Sequence, residues 1–190
     1  MANGWVHCLT VPRTVRLEVP KDGGPADARI VQWPAAELEA LRGDPVAVHV
    51  GIRGGASATV PGVAGTRLDL EAQVRCAEGA QLAIALRAGA AGRPVLLVLD
   101  SHAGLATLDR RQLGTGEGGQ FTGSFRPGGQ VDVRILLDSS SVEVFVDGGR
   151  LVLSARIYPV TGDEEVRFDA VGGDVDLEVT CWPMGPIQQG

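Results

Sequence analysis

The feature of this sequence that most limits its fold is a two-residue alternation of apolar and polar side chains along most of its length. Residues 67–76 read Arg-Leu-Asp-Leu-Glu-Ala-Gln-Val-Arg-Cys, and residues 131–138 repeat the pattern. A strand turns successive side chains to opposite faces, so such a run half-buries itself as a strand and not as a helix. Segments 45–52, 81–87, 94–99, 165–170 and 174–182 alternate in the same way. Gly, Pro and Asp punctuate them, which predicts an all-β chain built as an antiparallel sandwich or barrel. One short helix is expected at 35–42, with Pro34 at its start and Gly43 after its end. With no internal repeat and no long linker, all 190 residues read as a single domain.

One hairpin can be read residue by residue. Ser141-Val-Glu-Val-Phe-Val-Asp147 is followed by Gly148-Gly149 and then by Arg150-Leu-Val-Leu-Ser-Ala-Arg-Ile157. Asp-Gly and Gly-Gly both suit a type I′ turn. Either turn puts Val142, Val144 and Val146 on one face with Leu151, Leu153 and Ala155, and that face must be core. The opposite face carries Glu143, Phe145, Arg150, Val152, Ser154 and Arg156. An apolar centre among charges marks a contact surface or a face covered by other chain. The covers expected here are another domain, the edge loops of the second sheet, or a neighbouring copy.

Composition excludes several classes. Hydrophobic residues make up 44% and charged residues 21%, enough apolar surface to build a core. Seventeen basic residues against 23 acidic give a net charge of −6, without the basic footprint that nucleic acid requires. No polybasic segment points to a membrane surface, and no apolar run approaches the roughly 18 residues of a span. The opening Met-Ala-Asn-Gly-Trp lacks the layout of a signal peptide. The expectation is a chain that stays inside the cell or one that begins downstream of its true start. Cys8, Cys76 and Cys181 lack metal-ligand spacing and read as buried free thiols, or as one disulfide with a spare thiol.

Signatures of local chemistry are weak. There is no Gly-x-Ser-x-Gly elbow and no zinc motif. His49 sits in strand alternation and reads as structural, and the adjacency of Ser101 and His102 implies no catalytic geometry. Asp169, Asp174 and Asp176 around Gly172-Gly173 suit a solvated turn better than a calcium loop. Gly114-Thr-Gly-Glu-Gly-Gly119 matches a dinucleotide motif in form, but residues 120–125 after it have no helical period, so it reads as a loop. No residue set calls for a cofactor or a metal.

A longer pattern is specific. Ser139-Ser-Ser-Val-Glu-Val-Phe-Val-Asp-Gly-Gly149, running on to Ser154-Ala-Arg-Ile-Tyr-Pro159, resembles the C-terminal β-sandwich module of glycoside hydrolase family 32. That family comprises invertases, inulinases, levanases and other β-fructofuranosidases. Leu108-Asp109-Arg110, Trp5 with Leu9-Thr-Val-Pro-Arg13, and Ile30-Val-Gln-Trp-Pro34 resemble further segments of the same module. Ser139 stands where the family often has Arg, Lys or Thr. The resemblance implies a two-sheet, jelly-roll or concanavalin-like sandwich. It also implies an N-terminal catalytic propeller whose motifs are absent here: Asn-Asp-Pro-Asn-Gly, Arg-Asp-Pro and Glu-Cys. No residue of this chain inherits a catalytic role. The expected function is that of a non-catalytic accessory domain that packs on and stabilises the propeller. The alternative is a fructan-binding module with fructan or fructose as ligand. Candidate sugar or interdomain contacts are Glu143, Phe145, Arg156, Asp109, Arg110 and Trp33, with Glu143 and Arg156 placed for a diagonal ion pair. Self-association of the chain through the outer hairpin face is a further expectation.

Overall fold

The computed structural model describes residues 9–21, 24–90, 92–113 and 118–186. Within them lie fourteen strands. They are β1 (Arg13–Glu18), β2 (Arg29–Pro34), β3 (Val46–Ile52), β4 (Ser57–Ala64), β5 (Leu68–Cys76), β6 (Gln81–Ala88) and β7 (Val95–Asp100), then β8 (Leu105–Asp109), β9 (Gln120–Ser124), β10 (Gln130–Leu137), β11 (Ser141–Val146), β12 (Leu151–Arg156), β13 (Glu165–Val171) and β14 (Val175–Pro183). Two six-stranded antiparallel sheets form the sandwich, in the orders β12-β11-β10-β5-β14-β3 and β4-β13-β6-β7-β8-β9. β1 and β2 form a separate two-stranded ribbon.

Alternation builds the core. Leu68, Leu70, Ala72 and Val74 of β5 point inward, joined by Val133 and Ile135 of β10 and by Val142, Val144 and Val146 of β11. They meet Leu82, Ile84, Leu97, Leu99, Leu108 and Phe168 of the facing sheet. Two inner faces interdigitating in this way define a β-sandwich. The expected helix is a short 3-10 segment, Ala36–Leu41, rather than an α-helix. β4 and β9 lie at the two ends of the second sheet. Pro61 in β4 is tolerated there because an edge strand has a side that needs no ladder donor.

The hairpin forms the Gly-Gly version of its turn. Val146 pairs with Leu151, and Gly148 and Gly149 have φ of 65° and 87°. Both therefore occupy the left-handed region that a type I′ turn demands. The expected split of faces holds, with Val144 opposite Leu153 and Phe145 opposite Val152.

Cys76 and Cys181 are free, buried thiols, and Cys8 lies outside the described residues, as do Trp5 and most of the 114–119 loop. Burial pushes the Cys181 thiol up to about 12 and raises that of Cys76. Thiolate is the reactive form, so neither should alkylate while the chain is folded. Iodoacetamide at pH 8 followed by peptide mass mapping is expected to find both unmodified without denaturant and both modified in 6 M guanidinium.

Candidate interface on the outer face of the first sheet

The outward face of β11 is sealed by the chain's own N-terminal ribbon, not by a second domain, the edge loops of the other sheet or another copy. Phe145 is 0% exposed and Glu143 4%, although both point away from the sandwich core. The Trp33 ring of β2 meets Phe145 edge-on, with centroids 5.9 Å apart at 63°. Arg13 of β1 lies over the Phe145 ring at 5.2 Å. The same guanidinium donates to Glu143 Oε2, to Ser154 Oγ at 2.7 Å and to Gln32 Oε1 at 3.1 Å. The other Glu143 oxygen accepts the Val11 backbone N–H at 2.7 Å. Both carboxylate oxygens are thus satisfied, which is what allows the group to be buried. Arg13 supplies the cation that the diagonal pairing expectation assigned to Arg156.

The turn below explains how close the ribbon comes. A Cβ on Gly149 would sit 1.9 Å from the carbonyl oxygen of Gln32, whereas one on Gly148 would meet nothing within 4 Å. Gly149→Ala is therefore expected to cost more than Gly148→Ala. Strain alone accounts for about 1 kcal/mol at each site, and displacement of β2 adds to it only at Gly149. Urea denaturation of the two variants gives the comparison.

Beside this cluster lies an ionic network that sequence reading missed. Asp69 of β5 is 0% exposed. Arg134 of β10 grips it with both oxygens, Nε to Oδ1 at 2.9 Å and Nη2 to Oδ2 at 2.8 Å. Arg42, just after the 3-10 segment, donates to Asp69 Oδ2 at 2.7 Å and to Glu71 Oε1 at 2.5 Å. Burial disfavours the charge on Arg42, but its bonds to Asp69 and Glu71 outweigh that and raise its pKa. The two cations stack on tryptophans, Arg42 on Trp182 at 3.8 Å and Arg134 on Trp33 at 5.6 Å. The network ties the 3-10 segment and the ribbon to the sheet. Only the pairing register reveals it, because Asp69 and Arg134 are 65 residues apart.

The remaining candidates sit elsewhere. Arg110 donates from Nη1 to the Arg156 carbonyl at 2.8 Å, bridging the second sheet to the β12 edge, and lies over Phe121 at 5.5 Å. Arg156 lies over the Tyr158 ring at 5.2 Å. Asp109 is held by Arg111, whose side-chain hydrogen bonds lower its pKa. So Glu143, Phe145 and Trp33 come together, Arg110 meets Arg156 through its backbone carbonyl, and Asp109 pairs with Arg111 instead. Asp174 accepts from Arg53 and from the Gly54 N–H, Asp169 pairs with Arg167, and Asp176 faces His49 at 3.6 Å. Among the described residues no group of three or more His, Cys, Asp or Glu could hold a metal ion.

Comparison with known proteins decides the family. Residues 37–183 match the model described as glycosyl hydrolases family 32 C terminal. The chain belongs to glycosyl hydrolase family 32, as its C-terminal domain. It is 30% identical over 183 residues to a sucrose-6-phosphate hydrolase of Bacillus subtilis, covering 95% of this chain and 34% of that protein. It is also 30% identical over 189 residues to a raffinose invertase of Escherichia coli, covering 96% of this chain and 36% of the relative. The family 32 chain thus spans about a third of the length of these relatives. Among solved structures, an exo-inulinase from Aspergillus awamori matches with a TM-score of 0.76 at 23% identity, over 93% of this chain and 35% of that one. A fructosyltransferase from A. japonicus matches with a TM-score of 0.74 at 17% identity, over 90% and 32%. These two structural matches show the shared fold.

Proposed function

We propose that this chain is the non-catalytic sandwich of a family 32 enzyme acting on β-fructofuranosides, and that it packs on and stabilises a catalytic propeller preceding it. The observation that carries this reading is the match of residues 37–183 to the C-terminal domain of the family. The chemistry of the buried acids agrees with it. A retaining glycosidase needs two carboxyl groups about 5 Å apart across the substrate, one of them kept protonated. Asp69 and Glu143 are instead buried with both oxygens taken up by neighbours, with no room beside them for a sugar. The fructan-binding alternative has less support, because Phe145 would have to be open to stack on a ring and is fully buried.

The isolated chain is expected to release no fructose from sucrose, inulin or levan above a protein-free blank. Turnover that co-purifies with the chain through several columns and is lost on its denaturation would overturn the non-catalytic reading.

A further inference from the structure

We propose that a cavity at the loop end of the β1–β2 ribbon binds a small organic phosphate, with the phosphate group held among Lys21, Arg29 and Arg126. The cavity measures about 680 Å³ and lies between three parts of the chain. The ribbon gives residues 18–21 and Arg29, the segment leaving β9 gives residues 124–127, and the hairpin turn gives Asp147 and Arg150. Strand pairing explains why charge gathers on the near side of the ribbon. Glu18 pairs with Arg29 and Arg16 with Val31, so these four side chains share one face. Val31 is 5% exposed, so that face turns toward the sandwich. Val15, Leu17 and Ile30 lie on the opposite face.

The charges around the cavity do not balance. Four cations line it against two acids, and one of the cations occupies both acids. Arg150 donates from Nε and Nη2 to the two oxygens of Glu18 at 2.7 and 2.9 Å, and from Nη1 to Asp147 Oδ1 at 2.9 Å. Those hydrogen bonds, with the charges of Arg16 and Arg126 nearby, hold the Glu18 carboxyl below its ordinary range. Lys21, Arg29 and Arg126 have no carboxylate partner among the described residues. A surplus of two positive charges thus stands around one cavity, on a chain whose net charge is −6.

That surplus selects the ligand. A phosphate monoester carries nearly two negative charges at neutral pH and three strong acceptor oxygens. Guanidinium forks match those oxygens in pairs, and a lysine adds a point charge. Ser124 on the same wall supplies a hydroxyl donor. The volume is in the range of pockets for small organic molecules, roughly 300–1,000 Å³, and exceeds what a free phosphate fills. Pro20 and Pro127 give rigid apolar walls for the organic part. A nucleic acid would need a basic stripe along the surface, which the net charge argues against.

Isothermal titration calorimetry of the chain at pH 8 in low salt tests this with inorganic phosphate, fructose 6-phosphate and fructose. The test does not depend on the function proposed above. Fructose 6-phosphate is expected to bind one site per chain, at least tenfold more tightly than inorganic phosphate, and fructose is expected not to bind. Arg29→Gln and Arg126→Gln should each weaken that binding at least fivefold. Arg93→Gln, an equal change of charge at a residue outside the cavity lining, should leave it within twofold. All three positions are exposed, so each variant should melt within about 2 °C of the unaltered chain. Equal affinity for the two phosphates would keep the anion site, give it to free phosphate and overturn the organic ligand. Equal weakening by all three variants would reduce the binding to diffuse charge and overturn the site. Absence of binding by either phosphate would overturn it as well.

Discussion

Asp69→Ala is expected to destabilise the chain by about 3 kcal/mol, because it removes the two-oxygen partner of buried Arg134 and leaves only the more distant, partly exposed Glu71 and Glu39 beside it. Arg134 is 1% exposed, so water cannot replace the lost carboxylate without opening the sheet face. The effect should extend beyond one contact. Arg134 and Arg42 lie over Trp33 and Trp182, so their release loosens both the ribbon and the 3-10 segment. The double variant Asp69→Leu, Arg134→Met should be less destabilised than the sum of its single changes, because a buried pair replaced as a unit leaves no unpaired charge. Chemical denaturation followed by tryptophan fluorescence measures each. An Asp69→Ala variant within 1 kcal/mol of the unaltered chain would mean that the network contributes little.

Val144→Asp should prevent folding at 25 °C. Val144 is fully buried between the sheets, facing the core beside Leu153 and Ile135. A carboxylate there has no cation and no donor, and its burial costs several kcal/mol, comparable to the whole stability of a small domain. Val171→Asp serves as the control. Val171 is exposed at the end of β13, where a surface change is expected to stay within about 0.5 kcal/mol. Circular dichroism and a thermal melt of the two variants distinguish the outcomes. Glu143→Gln, on the other face of β11, should cost more than the Val171→Asp control, because the structure buries it against Arg13.

The alternation was legible because a strand's period of two survives whatever lies beyond the strand. The segments expected at 67–76, 81–87 and 131–138 match β5, β6 and β10 to within a residue at each end. The hairpin was readable to the level of faces, because both candidate turns preserved them. β4 escaped because Pro61 and Gly62 interrupt its pattern, and such residues suit an edge strand. The identity of the cover was not legible. Arg13 and Glu143 are 130 positions apart, and no local pattern states that a charged strand near the N-terminus folds back on a hairpin near the C-terminus. The outer hairpin face announced that something must cover it, since burying Phe145 alone is worth roughly 2–3 kcal/mol. Which segment does so depended on register and docking. The same limit hid Asp69, which as a sequence position looks like any outward polar residue of a half-buried strand.

The central claim is that this sandwich stabilises the domain to which it is joined. Differential scanning calorimetry of the longer polypeptide, beside the isolated chain and the isolated catalytic domain, tests it most directly. The account predicts one cooperative transition, or two coupled ones, with the catalytic domain melting at least several degrees higher when the sandwich is attached. Two transitions that superimpose on those of the separated parts would contradict it.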